Sequence, residues 1–254
     1  MDEHERQFSA DLDVKGGAQQ PVKTIIIAST PRSGSHMLGH AMSATGAMGV
    51  PFEYCQGSNL NRWSKMMAKS DPREVLRSIM ARRTSRNGVF SIKLHPRQLR
   101  HIGGFQAALE FFPNPYFVKI YRSNLLKQAV SMSLAQQTGV WISGQESNGN
   151  TPEYSHESIA RNLEKLAVMV DEWDRHISEA GLPSIGFEYQ EVARSTPAVL
   201  ARIAEHCGIE DYAHVESPPT KKQGGQQNAD WAARFAAGVK EVSVFDRIRR
   251  RLPT

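Results

Sequence analysis

The run Thr24-Ile25-Ile26-Ile27-Ala28-Ser29 constrains the fold more than any other segment, because it is short, apolar and rich in β-branched residues. Such a strand has no side to offer to water, so it belongs inside a parallel sheet that is covered on both faces. It reads as the first central strand. Directly after it come Thr30-Pro31-Arg32-Ser33-Gly34-Ser35-His36, and then a helical pattern carrying Met37, Leu38, Ala41 and Met42. A loop in this position is built to hold an anion. Gly34 permits a backbone conformation closed to other residues, and the N–H groups that open the helix aim partial positive charge at whatever sits there. Ser33 and Ser35 add hydroxyl donors, and Arg32 adds a permanent charge. Ser-Gly-Ser turns also occur as plain structural turns; the position after a buried strand is what favours the anion. No Gly-Lys-Ser/Thr ending is present, which disfavours a Walker loop holding a nucleoside triphosphate with magnesium.

Further strands are expected at Gly88 to Leu94, Tyr116 to Tyr121 and Ser184 to Glu188, with helical patterns between them. Ile159, Leu163, Leu166, Val170, Trp173 and Ile177 mark one amphipathic helix, and Thr196 to His206 another, capped by Ser195 or Thr196. Strands alternating with helices imply an α/β fold around a central, mainly parallel sheet. Residues 1–21 are polar, mixed in charge, contain Gly16-Gly17 and end at Pro21, and so read as a flexible leader before a single domain over 22–254.

With 40% hydrophobic and 22% charged residues, a chain of 254 residues buries a substantial core. Its 31 Lys and Arg against 26 Asp and Glu leave a charge of +5, which favours a small anionic partner and falls short of a nucleic-acid-binding tail. No apolar run reaches the roughly 18 residues of a membrane span, and the polar start lacks a signal peptide's apolar stretch. Cys55 and Cys207 make neither a disulfide framework nor a metal-ligand pattern, which fits a cytoplasmic setting.

A second strand-to-helix segment runs from Tyr121 to Ser131. Arg122 ends the strand and Ser131 lies in the helix, so the turn can offer a guanidinium fork and a hydroxyl to another phosphate. The alternative for Ser131 is a small packing residue.

The strand followed by Thr-Pro-Arg-Ser-Gly-Ser at 30–35 resembles the loop that sulfotransferases wrap around the 5′-phosphosulfate of 3′-phosphoadenosine 5′-phosphosulfate, PAPS. Arg122 to Ser131 resembles their 3′-phosphate site. More narrowly, Ala44-Thr45-Gly46, Pro51-Phe52-Glu53-Tyr54, Ile92-Lys93-Leu94, Gln128-Ala129-Val130-Ser131 and Gln136-Gln137-Thr138-Gly139-Val140-Trp141 are together similar to the bacterial trehalose 2-sulfotransferase family, over about residues 24 to 235. Two positions depart from that pattern: His36 stands where Thr is usual, and His95 where Met is usual.

The resemblance implies a P-loop-like three-layer fold and transfer of a sulfuryl group from PAPS, without metal, to a hydroxyl of a sugar or glycolipid; it also implies a homodimer. Arg32, Ser33, Gly34, Ser35 and His36 would bind the 5′ side of the donor, and Arg122 and Ser131 its 3′-phosphate. Arg32 suits the charge that develops on the leaving phosphate, and Lys93 is a second cation. Glu53 is the implied general base, against a reading as an exposed carboxylate capping the next helix. His36 and His95 are rival bases, each with a structural alternative. Trp141 stacks on a ligand or lies in the core.

Residues 73–100 hold eight Arg or Lys and one acid, Glu74, which reads mostly as a solvated helix face that can also attract the anionic donor. Late in the chain, Lys221 to Asn228 resembles the basic loop that closes over the nucleotide, with Lys222 and Gln223 as donor ligands. Two other functions stay open: a non-catalytic module that binds an adenosine phosphate, and a P-loop-type kinase.

Overall fold

The computed structural model describes residues 3–142, 144–217 and 225–241. Its centre is a sheet of four parallel strands, β1 (Lys23–Ala28), β2 (Val89–Leu94), β3 (Pro115–Tyr121) and β4 (Ser184–Glu188), in the spatial order β2-β1-β3-β4. Each expected strand lies within a residue of its observed place. In register, Ile26 of β1 sits between Ile92 of β2 and Phe117 of β3.

The helices are α1 (Glu3–Arg6), α2 (Ser35–Ala44), α3 (Gly57–Met67), α4 (Pro72–Arg83), α5 (Phe105–Phe111), α6 (Leu125–Thr138), α7 (His156–Ala180), α8 (Tyr189–Arg194), α9 (Thr196–Cys207) and α10 (Gln226–Glu241), with a 3-10 helix at Pro96–Ile102. Strand pleating sends alternate side chains to opposite faces. Ile25, Ile27, Val118, Ile120 and Phe187 meet α2 and α9 on one face through Leu38, Met42, Leu200 and Ile203. Ile26, Phe90, Ile92, Leu94 and Phe117 meet α4 and the latter half of α7 on the other, through Leu76, Ile79, Trp173 and Ile177. The fold therefore has three layers. The first half of α7 turns to α6 and α10, where Ile159 and Leu166 join Val130, Trp231 and Phe235.

Among the described residues, five helix starts are capped by a side chain that accepts a first-turn N–H: Gln56 for α3, Asp71 for α4, Asn124 for α6, Ser155 for α7 and Glu188 for α8. Ser195 precedes α9 but makes no such bond.

Within the segment expected to be a flexible leader, Phe8, Asp13 and Val14 make contacts with α3 and α4. Phe8 is 6% exposed and meets Trp63 with ring centroids 5.4 Å apart. Arg83, fully buried, pairs through Nε with Asp13 Oδ1 at 3.0 Å, and Val14 N–H donates to the Arg82 carbonyl. The basic stretch 73–100 is accordingly more than a solvated face, because Arg83 and Lys93 both lie inside.

After α2 the chain runs along the free edge of β2. Gly49 (φ 71°) passes so close that a Cβ would sit 2.6 Å from Ser91 N, and the Phe52 carbonyl accepts Lys93 N–H at 3.0 Å. That edge contact carries Glu53 to the carboxyl end of the sheet. Among the described residues, no helix is long and apolar enough to cross a membrane.

Candidate active site

β1 has β2 on one side and β3 on the other, so the crevice beyond the carboxyl ends of β1 and β3 is where the strand order reverses, the usual ligand position in open parallel sheets. Both basic loops reach it. In the first, Arg32 (φ 63°) and Gly34 (φ 99°) adopt left-handed backbone. A Cβ on Gly34 would come within 2.3 Å of Tyr189 Cδ2, so glycine is required there for space as well as conformation. Gly34 precedes α2 and supplies no side-chain cap, which leaves the first-turn N–H groups facing the crevice. Ser33 Oγ is buried with no hydrogen-bond partner among the described residues. The loop is braced from α6, where Gln128 Nε2 donates to Thr30 Oγ1 at 2.8 Å and to the Pro31 carbonyl at 2.6 Å.

The second loop meets the first through side chains. Arg32 Nε donates to Ser131 Oγ at 3.0 Å, and its NH1 donates to the Trp141 carbonyl. Arg122 lies over the Tyr189 ring, 4.2 Å from its centroid, with a buried Nε that has no partner among the described residues. Burial and the nearby Arg122 guanidinium draw Arg32 down to about 10, which leaves it cationic at neutral pH. Arg32, Arg122, Ser33 and Ser131 thus line one crevice with two positive charges and donors unspent among the described residues, the chemistry that suits phosphate-type anions. Trp141 is 41% exposed and lies at the rim rather than in the core.

Beside this crevice, Glu53 Oε1 lies 2.9 Å from Lys93 Nζ and 3.4 Å from His95 Nε2, while its Oε2 accepts Gln98 Nε2 at 2.9 Å. Burial pushes the Glu53 carboxyl up, but Lys93 and His95 outweigh it and hold the group well below the usual carboxylate range. Glu53 caps no helix; Gln56 does that for α3. Lys93 is 5% exposed, not a solvated strand end.

His36, in the first turn of α2, shares a hydrogen bond with His40, Nε2 to Nε2 at 2.8 Å, and both rings lie near Phe52. Burial, with Lys93 and His40, lowers His36 to about 2, and burial with Lys93 lowers His40 to about 4. Both imidazoles are neutral at pH 7. Sequence reasoning passed over His40, Gln98, Gln128 and Tyr189. The first stands at the i+4 position from His36 and the second at i+3 from His95, spacings that share a helix face. Gln128 lay within a motif already noted. Nothing local marks Tyr189, which meets the crevice only because β4 lies beside β3. Lys222 and Gln223 lie outside the described residues.

Fold and site together define a parallel α/β protein with a basic crevice at its sheet's carboxyl end and an ionised carboxylate beside it. Residues 24–238 match the model of the Stf0 sulphotransferase family, and the chain belongs to that family of sulfotransferases, which share a P-loop-like fold. It is 25% identical over 265 residues to trehalose 2-sulfotransferase of Mycobacterium tuberculosis (strain ATCC 35801 / TMC 107 / Erdman), covering 88% of this chain and 98% of that one. It is 23% identical over 257 residues to trehalose 2-sulfotransferase of Mycolicibacterium smegmatis, covering 86% and 96%. A sulfotransferase structure from Alicyclobacillus acidocaldarius has the same fold, with a TM-score of 0.52 at 14% identity over 87% of this chain and 93% of that one.

Proposed function

We propose that this sulfotransferase moves a sulfuryl group from PAPS to a hydroxyl of a carbohydrate or glycolipid, with a trehalose-like sugar as the favoured acceptor. The observation that carries the reading is the bond between Arg32 and Ser131, which joins two phosphate-type loops into one crevice beside a charged carboxylate. Ser33, Gly34, Ser35 and His36 bind the 5′ side of the donor, and Arg122 with Ser131 its 3′-phosphate. The buried Ser33 Oγ and Arg122 Nε, without partners among the described residues, fit such a ligand. Sugar as the acceptor rests on the names of the two mycobacterial relatives. A cytoplasmic setting agrees with two free, buried cysteines.

PAPS supplies a sulfuryl group on a leaving phosphate that gains negative charge. Arg32 and Lys93 are the fixed cations that stabilise this charge without reorganising. As the acceptor oxygen bonds to sulfur and the sulfur–phosphate oxygen bond breaks, the hydroxyl proton passes to Glu53. The pair with Lys93 keeps Glu53 ionised and so always ready to accept. Incubation with sulfur-labelled PAPS and a panel of sugars, glycolipids and phenols tests the reading. Label in a sugar, trehalose foremost, is the expected result; label in none, with tight nucleotide binding, would favour a non-catalytic module.

A further inference from the structure

His95 fits poorly as a rival base. Its Nδ1 faces the Ser29 carbonyl at 3.0 Å and Ser29 Oγ at 3.2 Å, in the interior, while Nε2 faces the Glu53 carboxylate. A bare Nε2 would set acceptor against acceptor. Nε2 therefore carries a hydrogen, whether Nδ1 donates to the carbonyl or accepts from the Ser29 hydroxyl. No ring nitrogen is turned toward an acceptor alcohol.

Gln98 completes the arrangement. Its Oε1 accepts the His95 backbone N–H at 3.0 Å and its Nε2 donates to Glu53 Oε2, so one buried amide ties the start of the 3-10 helix to the carboxylate. A carboxylate has about four lone-pair sites. Lys93 and His95 occupy Oε1 and Gln98 takes one site on Oε2, leaving a single site, on Oε2, among the described residues. The Glu53 side chain is 24% exposed, so part of it is open to solvent.

We propose that His95 and Gln98 are positioning residues, which together with Lys93 commit three of the Glu53 lone pairs to the protein and present the remaining one, on Oε2, to the acceptor hydroxyl. This rests on Glu53 being the base. The acceptor proton then arrives at a fixed point, and the hydroxyl oxygen is aligned before it attacks.

His95→Met and Gln98→Leu keep much of the side-chain volume and remove the donor. In each, kcat should fall about 10- to 100-fold, the scale of a misplaced reacting group, while calorimetric affinity for 3′-phosphoadenosine 5′-phosphate holds. Paired with Glu53→Gln, neither should lower kcat further, because both act through that carboxylate. The acid limb of kcat should also move to higher pH in His95→Met. The active form is the carboxylate, and of the groups facing it, Lys93 from β2 and His36 from α2, only Lys93 would remain to hold it ionised. Normal turnover in both variants, an unmoved limb in His95→Met, or lost nucleotide affinity would overturn the proposal. If Glu53→Gln is inactive while both variants are normal, positioning alone fails; if Glu53→Gln itself turns over normally, the base reading fails and takes the proposal with it.

Discussion

Arg122 shows how a single residue can be both fixed and available. Its guanidinium face rests on Tyr189, its Nε is buried without a partner among the described residues, and burial lowers its pKa while Tyr189 and Glu188 raise it. A phosphate would supply the missing acceptor. Arg122→Ala should therefore weaken 3′-phosphoadenosine 5′-phosphate binding by about 10- to 100-fold, the loss of one charge-assisted hydrogen bond. Calorimetry should also show the variant binding nucleotides with and without the 3′-phosphate equally. A wild type that fails to distinguish them would remove the 3′-phosphate from this position.

At the scale of elements, the junction of β1 and α2 is the demanding one. Chain direction reverses there through two left-handed residues, and Tyr189 of α8 closes over the second. Gly34→Ala adds both backbone strain and a clash with a ring held by Arg122. The expected cost is about 1–3 kcal/mol of stability, together with a loss of nucleotide affinity. Thermal melts with and without nucleotide separate the two effects. Ala at 34 with unchanged affinity would mean that the loop does not touch the donor. α3 and α4 have their starts capped by the side chains of Gln56 and Asp71, whereas α2 has no side-chain cap and leaves its first N–H groups open to the crevice.

For the whole molecule, two buried features govern stability. Asp13 is the partner of the fully buried Arg83, so Asp13→Ala strands a charge in the core and should cost about 3 kcal/mol. Denaturant titration reads this, and a neutral result would show that the N-terminal segment contributes nothing to the fold. The second feature is acid sensitivity. His40 and His36 bind protons more weakly folded than unfolded, at about 4 and about 2 against 6.5. Stability is then complete above about 6.5 and falls as pH drops through 4 toward 2. Glu53, held below 4.5 when folded, adds to the loss in the same direction. His40→Asn should flatten the fall in melting temperature between pH 7 and pH 4.

The four strands and the first loop are legible in the local sequence, while the strand order is not. An apolar β-branched run can only be a buried strand, and a Ser-Gly-Ser turn between it and a helix has few conformations open to it, so Ile25–Ile27 and Gly34 were legible locally. Glu53 and Lys93 were legible as members of motifs, but their pairing was not: 40 positions separate them in the chain, and only the course of residues 46–53 along the edge of β2 brings them to 2.9 Å. The same holds for Tyr189 against Gly34, which depends on β4 lying beside β3, and for the N-terminal segment. That segment is polar enough to read as a leader, yet it carries Phe8 and Asp13, whose partners Trp63 and Arg83 appear only once α3 and α4 have packed. Local patterns set which elements form because backbone sterics and side-chain periodicity act over a few residues. Contacts between distant residues were decided by packing, which no local pattern encodes.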